Sequence, residues 1–507
     1  MKTISRFVAG LVLAMPILAH ATSPSIMPTP RGGSTAMRFV SEHQAMIGGH
    51  VVHYRATVAE HFVFDAAGKR TASVFTTSYE RTDVPKGKTR PVMFAFNGGP
   101  GSASIWLHLG FLGPRRLDFD DPAKPRTLPP FPLIDNADSP LDVTDIVLID
   151  PPGTGFSRIL PDGKPAQFYV SKGDALATAK IIKQWIDEHG RWNAPKFLLG
   201  ESYGTIRAAL VARMLAGGPT ETGEMDGITL NGVMLLGQAL DLNLSGDRHF
   251  ITSLPTLAAT ACYFGRAQAH CTAAGQVEAA QRFAADQYME ALYQGARLAV
   301  PQREHVADQI SALIGIPASV IEAHDLRLDN IEFAKLLLAD KGAQLGTYDA
   351  RFTLPLKASG EDVVADDPAM GQFCAGFVAA FNQYLHDDLG VRLDTPYRAI
   401  AFKEVEGQWD YGNGPGVPLN NNFAPDMAVA MRRNPALRLM VGSGFYDLVT
   451  TVGEAEYTMS HAGIPLSRVD IHDYPSGHMP YLGKDARQQL AADVRAFVTS
   501  PPPTLIP

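Results

Sequence analysis

Residues 200–204 of this chain are Gly-Glu-Ser-Tyr-Gly, and the sequence on both sides makes this pentapeptide informative. Before it, Lys196–Leu199 is a short apolar run that predicts a buried strand. After it, residues 205–215 place apolar side chains at helical spacing. A Gly-x-Ser-x-Gly turn between a strand and a helix pushes the serine out above the sheet, beside the amides of the helix N-terminus. The pattern predicts a nucleophile, Ser202; the plainer alternative is a Gly-rich turn without chemistry.

Two later strands lead to an acid and a base that such a serine needs. The apolar run 437–441 precedes Asp447, and the alternating run 468–474 precedes His478. Ser, Asp and His in this chain order are typical of α/β-hydrolases. In that scheme His478 takes the proton from the serine and later returns it to the leaving group, while Asp447 fixes the imidazole tautomer. Taken alone, Asp447 could equally cap a helix, and His478 could be a solvated loop residue. Because the chain has 15 histidines, it is the position at the end of a strand that selects His478 as the candidate base.

A third strand end supplies the candidate oxyanion hole. Residues 91–96 are an apolar run, and residues 97–102 are Asn-Gly-Gly-Pro-Gly-Ser. An α/β-hydrolase takes one oxyanion amide from such a loop and the other from the residue after the nucleophile. Glycine lets the backbone approach a substrate closely. We therefore predict the amides of Gly99 and Tyr203 as the two donors, although the loop alone would also fit a Gly-Pro turn.

Five segments, in order, resemble the serine carboxypeptidase family, the S10 peptidases. The oxyanion loop 96–104 and the nucleophile segment 200–205, with its distinctive glutamate before the serine, are similar to that family's motifs. Residues 150–157, Asp-Pro-Pro-Gly-Thr-Gly-Phe-Ser, resemble the family's segment between them. Gly477–Met479 is similar to the catalytic histidine segment, and residues 444–447 take the place of the aspartate segment. The resemblance implies an α/β-hydrolase fold and the release of C-terminal residues from peptides through an acyl-enzyme.

The resemblance also implies a site for the substrate's terminal carboxylate, and half of that site is changed in this chain. Family members that remove C-terminal residues bind the carboxylate through four side chains. Two of them are present as Asn97 and Glu201. The family's tryptophan and second glutamate are replaced by Ala95 and Phe111. In the family pattern a protonated acid donates to the carboxylate, a role for which burial would raise the pKa of Glu201.

The changed positions leave alternatives open. Arg115 and Arg116 are either a fork for a carboxylate or a solvated basic pair. A serine carboxypeptidase is the leading prediction, and an esterase or acyltransferase with the same triad is its rival. A non-catalytic binding protein on a hydrolase fold is disfavoured because Ser202, Asp447 and His478 are all present. The mechanism needs no cofactor, and no spacing of Cys and His predicts a metal site.

The N-terminus and the composition predict an exported enzyme. Residues 1–6 are basic, residues 7–18 are apolar, and Ala19–Ala21 has the small residues of a cleavage site. We expect residues 1–21 to be a secretory signal peptide, residues 22–36 a flexible leader, and the location to be periplasmic or secreted. The formal net charge of −8, without a basic block, argues against nucleic acid or an anionic membrane as the main ligand. No later run predicts a membrane span, so the expected partner is a peptide substrate.

Strand and helix signals divide the rest of the chain. Residues 37–240 and 397–500 carry the strands of a mostly parallel central sheet flanked by helices, the two parts of an α/β-hydrolase core. Residues 241–396 have Ala-rich helical patterns, as expected of an inserted helical lid. Export allows a disulfide between Cys262 and Cys271 that would tie down a helical hairpin, and leaves Cys374 as a buried apolar side chain.

Overall fold

The computed structural model describes residues 35–501 except for residues 86–88, 120, 122–125, 220–226, 244, 359, 361, 416 and 418–420. The predicted signal peptide, residues 1–21, lies outside the described residues, as does the predicted leader up to residue 34.

Fourteen strands occur in the described part of the chain. They are β1 (Arg38–Ile47), β2 (His50–Phe64), β3 (Arg70–Arg81), β4 (Val92–Phe96), β5 (Arg115–Leu117), β6 (Leu133–Asp135), β7 (Asp145–Ile149), β8 (Arg158–Ile159), β9 (Lys196–Glu201), β10 (Gly232–Leu236), β11 (Ala343–Leu345), β12 (Thr353–Pro355), β13 (Arg438–Gly444) and β14 (Val469–Tyr474). Each buried strand of the core coincides with an apolar run of the sequence, as expected for strands that are covered on both faces.

Most of these strands form one sheet in the order β1-β2-β3-β7-β4-β9-β10-β13-β14, and β8 pairs with β3. Pairing is antiparallel from β1 to β7. It is parallel across β7, β4, β9, β10, β13 and β14. β5–β6 and β11–β12 are separate antiparallel hairpins. The predicted α/β-hydrolase fold with a mostly parallel sheet is confirmed.

The described α-helices connect and cover these strands. They are α1 (Ile105–Leu107), α2 (Pro165–Phe168), α3 (Ser171–Glu188), α4 (Tyr203–Leu215), α5 (Asp247–Tyr263), α6 (Ala273–Phe283), α7 (Met289–Gln294), α8 (Val300–Ile314), α9 (Ala318–Ala323), α10 (Asn330–Leu336), α11 (Met370–Asp387), α12 (Ala424–Arg433), α13 (Val452–His461) and α14 (Lys484–Thr499). A π-helical turn, His108–Leu112, continues α1.

Side chains of the parallel strands alternate between two apolar cores. In β4, Met93 and Ala95 join the core on one face, whereas Val92 and Phe94 join the core on the other. The helices α11 and α14 complete the first core, and α3, α4 and α12 complete the second. The central strands β7, β4, β9 and β10 are therefore buried on both faces, and the ends of the strands are left for a site.

The region 241–396, predicted as a helical lid, contains α5 to α10, which share an apolar core with Tyr446 and Leu448. It differs from the prediction in two ways, because it includes the hairpin β11–β12 and because α11 packs under the main sheet. The apolar pattern of α11 predicts a buried face but not the partner it is buried against.

The cysteines are arranged as the sequence allowed. Cys262, at the end of α5, and Cys271, before α6, form a disulfide with their Cα atoms 5.9 Å apart. Cys374 is free, and burial raises the pKa of its thiol to about 12, so it stays protonated and inert at neutral pH. None of the described helices is long and apolar enough to cross a membrane.

Candidate active site

The predicted site residues lie where parallel strands end. Gly99 follows β4, Ser202 follows β9, Asp447 follows β13 and His478 follows β14. Since neighbouring parallel strands end at the same edge of a sheet, four distant segments meet there. Asn97, Gly99, Glu201, Ser202 and His478 all line one cleft.

The backbone at Ser202 has the strained geometry of a sharp turn. Its φ and ψ are 59° and −129°, a region that residues other than glycine rarely adopt. The flanking glycines are required by close contacts, because a Cβ on Gly200 would lie 2.1 Å from the carbonyl oxygen of Gly204. A Cβ on Gly204 would lie 2.7 Å from the carbonyl oxygen of Phe96, in the next strand. The turn therefore holds Ser202 at the tip between strand and helix.

The oxyanion loop and the nucleophile turn touch through their backbones. A Cβ on Gly98 would lie 2.5 Å from the amide nitrogen of Tyr203, so only glycine fits there. Gly99 has a φ of 104°, which favours glycine, and it lines the cleft. In the part of the chain that the structure describes, neither the Gly99 nor the Tyr203 amide donates a hydrogen bond. Two free N–H groups beside Ser202 are the arrangement that an oxyanion needs.

The imidazole of His478 is oriented by a buried carboxylate. Its Nδ1 lies 2.8 Å from Asp447 Oδ2. The other oxygen, Oδ1, accepts the backbone amides of Val449 and Thr450 at 2.8 and 3.0 Å, and the Thr450 hydroxyl donates to Oδ2. Both carboxylate oxygens of Asp447 are thus hydrogen-bonded, and Nε2 of the His478 imidazole is left for a group in the cleft. Between Ser202 and His478 the described structure has no hydrogen bond, which is common before substrate binds.

The charge environment favours the protonated form of His478. Burial acts to lower the pKa of this imidazole, but the Asp447 charge and its hydrogen bond, followed by Glu201, raise it above the ordinary value. An imidazolium formed when the base takes a proton would therefore be stabilised where it stands.

A segment of the insertion supports both the acid and the base, and we call Gly346–Phe352 the strap. The His478 amide donates to Tyr348 O at 2.6 Å, and the two rings meet edge to face at 5.3 Å. The Arg351 guanidinium donates to Pro475 O at 2.7 Å and to Leu482 O at 3.2 Å, on either side of the histidine. Further strap contacts reach the loop of Asp447: Leu448 N to Thr347 O at 3.0 Å and Ala350 N to Tyr446 O at 2.9 Å.

Asn97 and Glu201 form a buried pair on the wall of the cleft. Asn97 Nδ2 donates to Glu201 Oε1 at 2.7 Å, and Asn97 Oδ1 accepts the amide of Leu107 at 3.0 Å. Glu201 is only 3 % exposed. Burial raises the pKa of Glu201 to about 7, against the opposing effects of His478 and of the groups that hydrogen-bond to it. A carboxyl group that is protonated in weak acid thus faces the cleft, as the sequence predicted for a donor.

The replaced positions of the carboxylate network are apolar and buried. Ala95 lies within β4, and the ring of Phe111 stacks on Tyr481 at 6.1 Å. Arg115 binds Asp135 at 2.7 Å in the hairpin β5–β6. Neither Arg115 nor its neighbour Arg116 lines the cleft, so the suggested arginine fork is wrong.

Sequence reasoning missed a buried ion pair beneath the nucleophile. Arg207, on α4, donates through Nε to Asp174 at 2.7 Å and through NH1 to Asn97 O at 2.6 Å. Both charged side chains are 1 % exposed. The contact ties the nucleophile helix to the oxyanion loop. No sequence pattern reveals it, because α4 looks like an ordinary apolar helix in which neither of its two arginines stands out.

The remaining wall of the cleft is mostly apolar and was also not predicted. It is lined by Trp106, Tyr348, Met370, Ile400, Phe402 and Met479. Among the described residues there is no cluster of three or more His, Cys, Asp and Glu side chains that could hold a metal ion.

The fold and the site together define an α/β-hydrolase with a serine at the nucleophile turn. Residues 60–264 match the family model of serine carboxypeptidases, Peptidase S10. This segment carries the oxyanion loop and Ser202, and the match confirms the resemblance seen in the motifs.

A solved structure agrees on the fold. The chain is similar to Kex1(delta)p, a prohormone-processing carboxypeptidase from Saccharomyces cerevisiae, with a TM-score of 0.53 and 13% identity over 87% of this chain and 90% of that one. Proline iminopeptidase from Mycobacterium smegmatis has a TM-score of 0.36 and 12% identity over 87% of this chain and 97% of that one. A comparison with curated protein sequences gives no match.

Proposed function

We propose that this protein is a serine carboxypeptidase that releases C-terminal residues from peptides. The observation that carries the proposal is the buried pair of Asn97 and Glu201, which lines the same cleft as Ser202. An amide N–H and a protonated carboxyl are donors for the terminal carboxylate of a peptide. A general esterase has no need of such a pair.

The reaction follows from the placement of the groups. His478 accepts the proton of Ser202 as the hydroxyl attacks the scissile carbonyl carbon, and Asp447 stabilises the imidazolium. The amides of Gly99 and Tyr203 hold the oxyanion. The imidazolium protonates the leaving amine as the C–N bond breaks, and water then attacks the acyl-enzyme with His478 again as base.

An esterase or acyltransferase is the second candidate, and a specific observation favours it. The places of the family's tryptophan and second glutamate are taken by Ala95 and Phe111, so fewer polar groups face a terminal carboxylate. The apolar cleft wall would equally accept an acyl group. A non-catalytic binding role is disfavoured, because the His478–Asp447 hydrogen bond and the strained Ser202 backbone are both present.

The deciding experiment compares one N-blocked peptide with a free C-terminus, the same peptide amidated, and a simple ester. At about pH 5 we expect the free peptide to be cleaved at least tenfold faster than the amide, since a charge-assisted hydrogen bond contributes about 1.5–3 kcal/mol. Mass spectrometry of the products locates the bond cleaved. Equal rates for the two peptides, or brisk ester hydrolysis with neither peptide cleaved, would favour the esterase or acyltransferase.

We also propose that the protein is exported to the periplasm or secreted. The tripartite sequence of residues 1–21 and the Cys262–Cys271 disulfide support this location, because disulfides persist in oxidising compartments. N-terminal sequencing of the protein purified from its cells should give a start close to Thr22 in the extracytoplasmic fraction. An intact Met1 on cytoplasmic protein would contradict the proposal.

A further inference from the structure

A buried tyrosine that lies behind Glu201 belongs to no predicted role. Tyr481 stands three residues after His478 and is 1 % exposed. Its ring packs so closely on Gly110 that a Cβ there would lie 2.3 Å from Tyr481 Cε2. The same ring stacks on Phe111 with an interplanar angle of 9°. The segment that lost its acid at position 111 therefore fixes the ring of Tyr481.

The hydroxyl of this tyrosine ends beside the carboxylate pair. Burial, followed by the charge of nearby Glu201, raises the pKa of this phenol, and Asn97 acts in the opposite direction. In the described structure the Tyr481 hydroxyl and Glu201 Oε2 are both buried, and neither atom has a hydrogen-bond partner. A buried polar atom without a hydrogen bond lowers the stability of the fold. A hydrogen bond from the phenol to the carboxylate would satisfy both atoms at once.

We infer that Tyr481 is a positioning residue of the carboxylate site, whose hydroxyl donates to Glu201 in place of the acid that Phe111 replaces and holds that carboxyl beside Asn97 for the substrate's terminus. This inference rests on the proposed carboxypeptidase function. It assigns Tyr481 no contact with substrate, because Glu201 and Asn97 line the cleft and Tyr481 does not.

The direction of the effect on Glu201 follows from the groups that face it. His478, the Tyr481 hydroxyl and Asn97 lower the pKa of this carboxyl, whereas burial and the charge of Asp447 raise it. A hydroxyl that donates to a carboxylate stabilises the ionised form. Removing the hydroxyl therefore raises the pKa of Glu201 further and extends the protonated range to higher pH.

The test is Tyr481→Phe, which keeps the ring packed on Gly110 and Phe111. For the free-terminus peptide we expect the alkaline limb of kcat/KM to move up by about one pH unit. At pH 5, where Glu201 is protonated in both proteins, KM should rise roughly 2- to 10-fold with little change in kcat, because the carboxyl has lost its anchor. Ester hydrolysis should be unchanged. Tyr384→Phe is the matched control, since it removes a buried hydroxyl that bonds Tyr79 instead.

A second readout does not depend on peptide cleavage. Infrared difference spectra taken across pH show the C=O band of a protonated carboxyl, assigned to Glu201 by its loss in Glu201→Gln. The pH at the midpoint of the titration of this band should rise in Tyr481→Phe and should be unchanged in Tyr384→Phe. An unchanged midpoint overturns the contact between Tyr481 and Glu201, and a shifted midpoint with an unchanged peptide profile overturns the role in recognition. If the native enzyme cleaves no free-terminus peptide, the proposed function fails, and the midpoint alone decides the contact.

Discussion

Ser202→Ala should lower kcat about a million-fold on every substrate that the native enzyme turns over, and His478→Ala should do nearly as much. The two residues act as one unit, since the hydroxyl is a weak nucleophile without its base. The double variant should therefore be little worse than either single one. The residual rate comes from the oxyanion amides of Gly99 and Tyr203 and from substrate binding.

The same variants give a direct chemical readout. A fluorophosphonate should label the native protein at Ser202, located by mass spectrometry, and should leave Ser202→Ala unlabelled. Ser460 is the matched control, because its hydroxyl lies 3.0 Å from His461 Nδ1 on the exposed end of α13 without the strained turn. Ser460→Ala should be labelled like the native protein. Undiminished labelling of Ser202→Ala would reject the nucleophile.

Glu201→Gln should remove the alkaline loss of peptide hydrolysis. In the proposed reaction protonated Glu201 is the donor, and its pKa is about 7, so peptide hydrolysis should fall as the pH rises through that value. Glutamine keeps a donor but does not titrate. The acid limb reports His478, which must be deprotonated to act as the base. Ester hydrolysis should follow His478 alone in both proteins.

The measurement is kcat/KM from pH 4 to 9 for the free peptide and for an ester. Glu454→Gln provides the control, since Glu454 is also a buried carboxyl whose pKa is raised by burial, but it pairs with Arg248 away from the cleft. Arg248 keeps Asp241 as a partner at 2.7 Å in that variant. An alkaline limb that persists in Glu201→Gln, or that disappears in Glu454→Gln, would show that another group sets it.

The central strands and the strand-end residues could be predicted because their signals are local. The run 91–96 contains β4, Val92–Phe96, and the run 196–199 lies within β9, Lys196–Glu201. A parallel strand buried on both faces is a continuous apolar run, and the glycines around Ser202 are needed by backbone contacts within the turn. Asp447 and His478 each follow a strand of the parallel part of the sheet, so they lie at the same edge of the sheet as Ser202.

The supporting groups could not be predicted, because each acts across a long sequence separation. Tyr481 packs against Gly110 and Phe111, and Arg207 meets Asn97, through contacts that depend on how loops pack at the sheet edge. The signal for Tyr481 was weak but present, a tyrosine close after the predicted base. The sequence carries no signal for the strap, because Tyr348 accepts the His478 amide through its backbone carbonyl, and every residue has such a carbonyl.

The strap limits how this enzyme can be recombined. Residues 241–396 look like an exchangeable specificity module, yet the strap within them accepts the amide of His478 and anchors its loop through Arg351. Replacing residues 241–396 with the insertion of a relative would also replace the segment that holds His478 in place. The block from α5 to α10 is not separable either, because its apolar core includes Tyr446 and Leu448, on either side of Asp447, and because Asn330 of α10 donates to Leu448 O at 2.8 Å. We therefore expect divergence in substrate choice at the exposed positions of these helices, while their contacts with the strap and with the loop of Asp447 are kept.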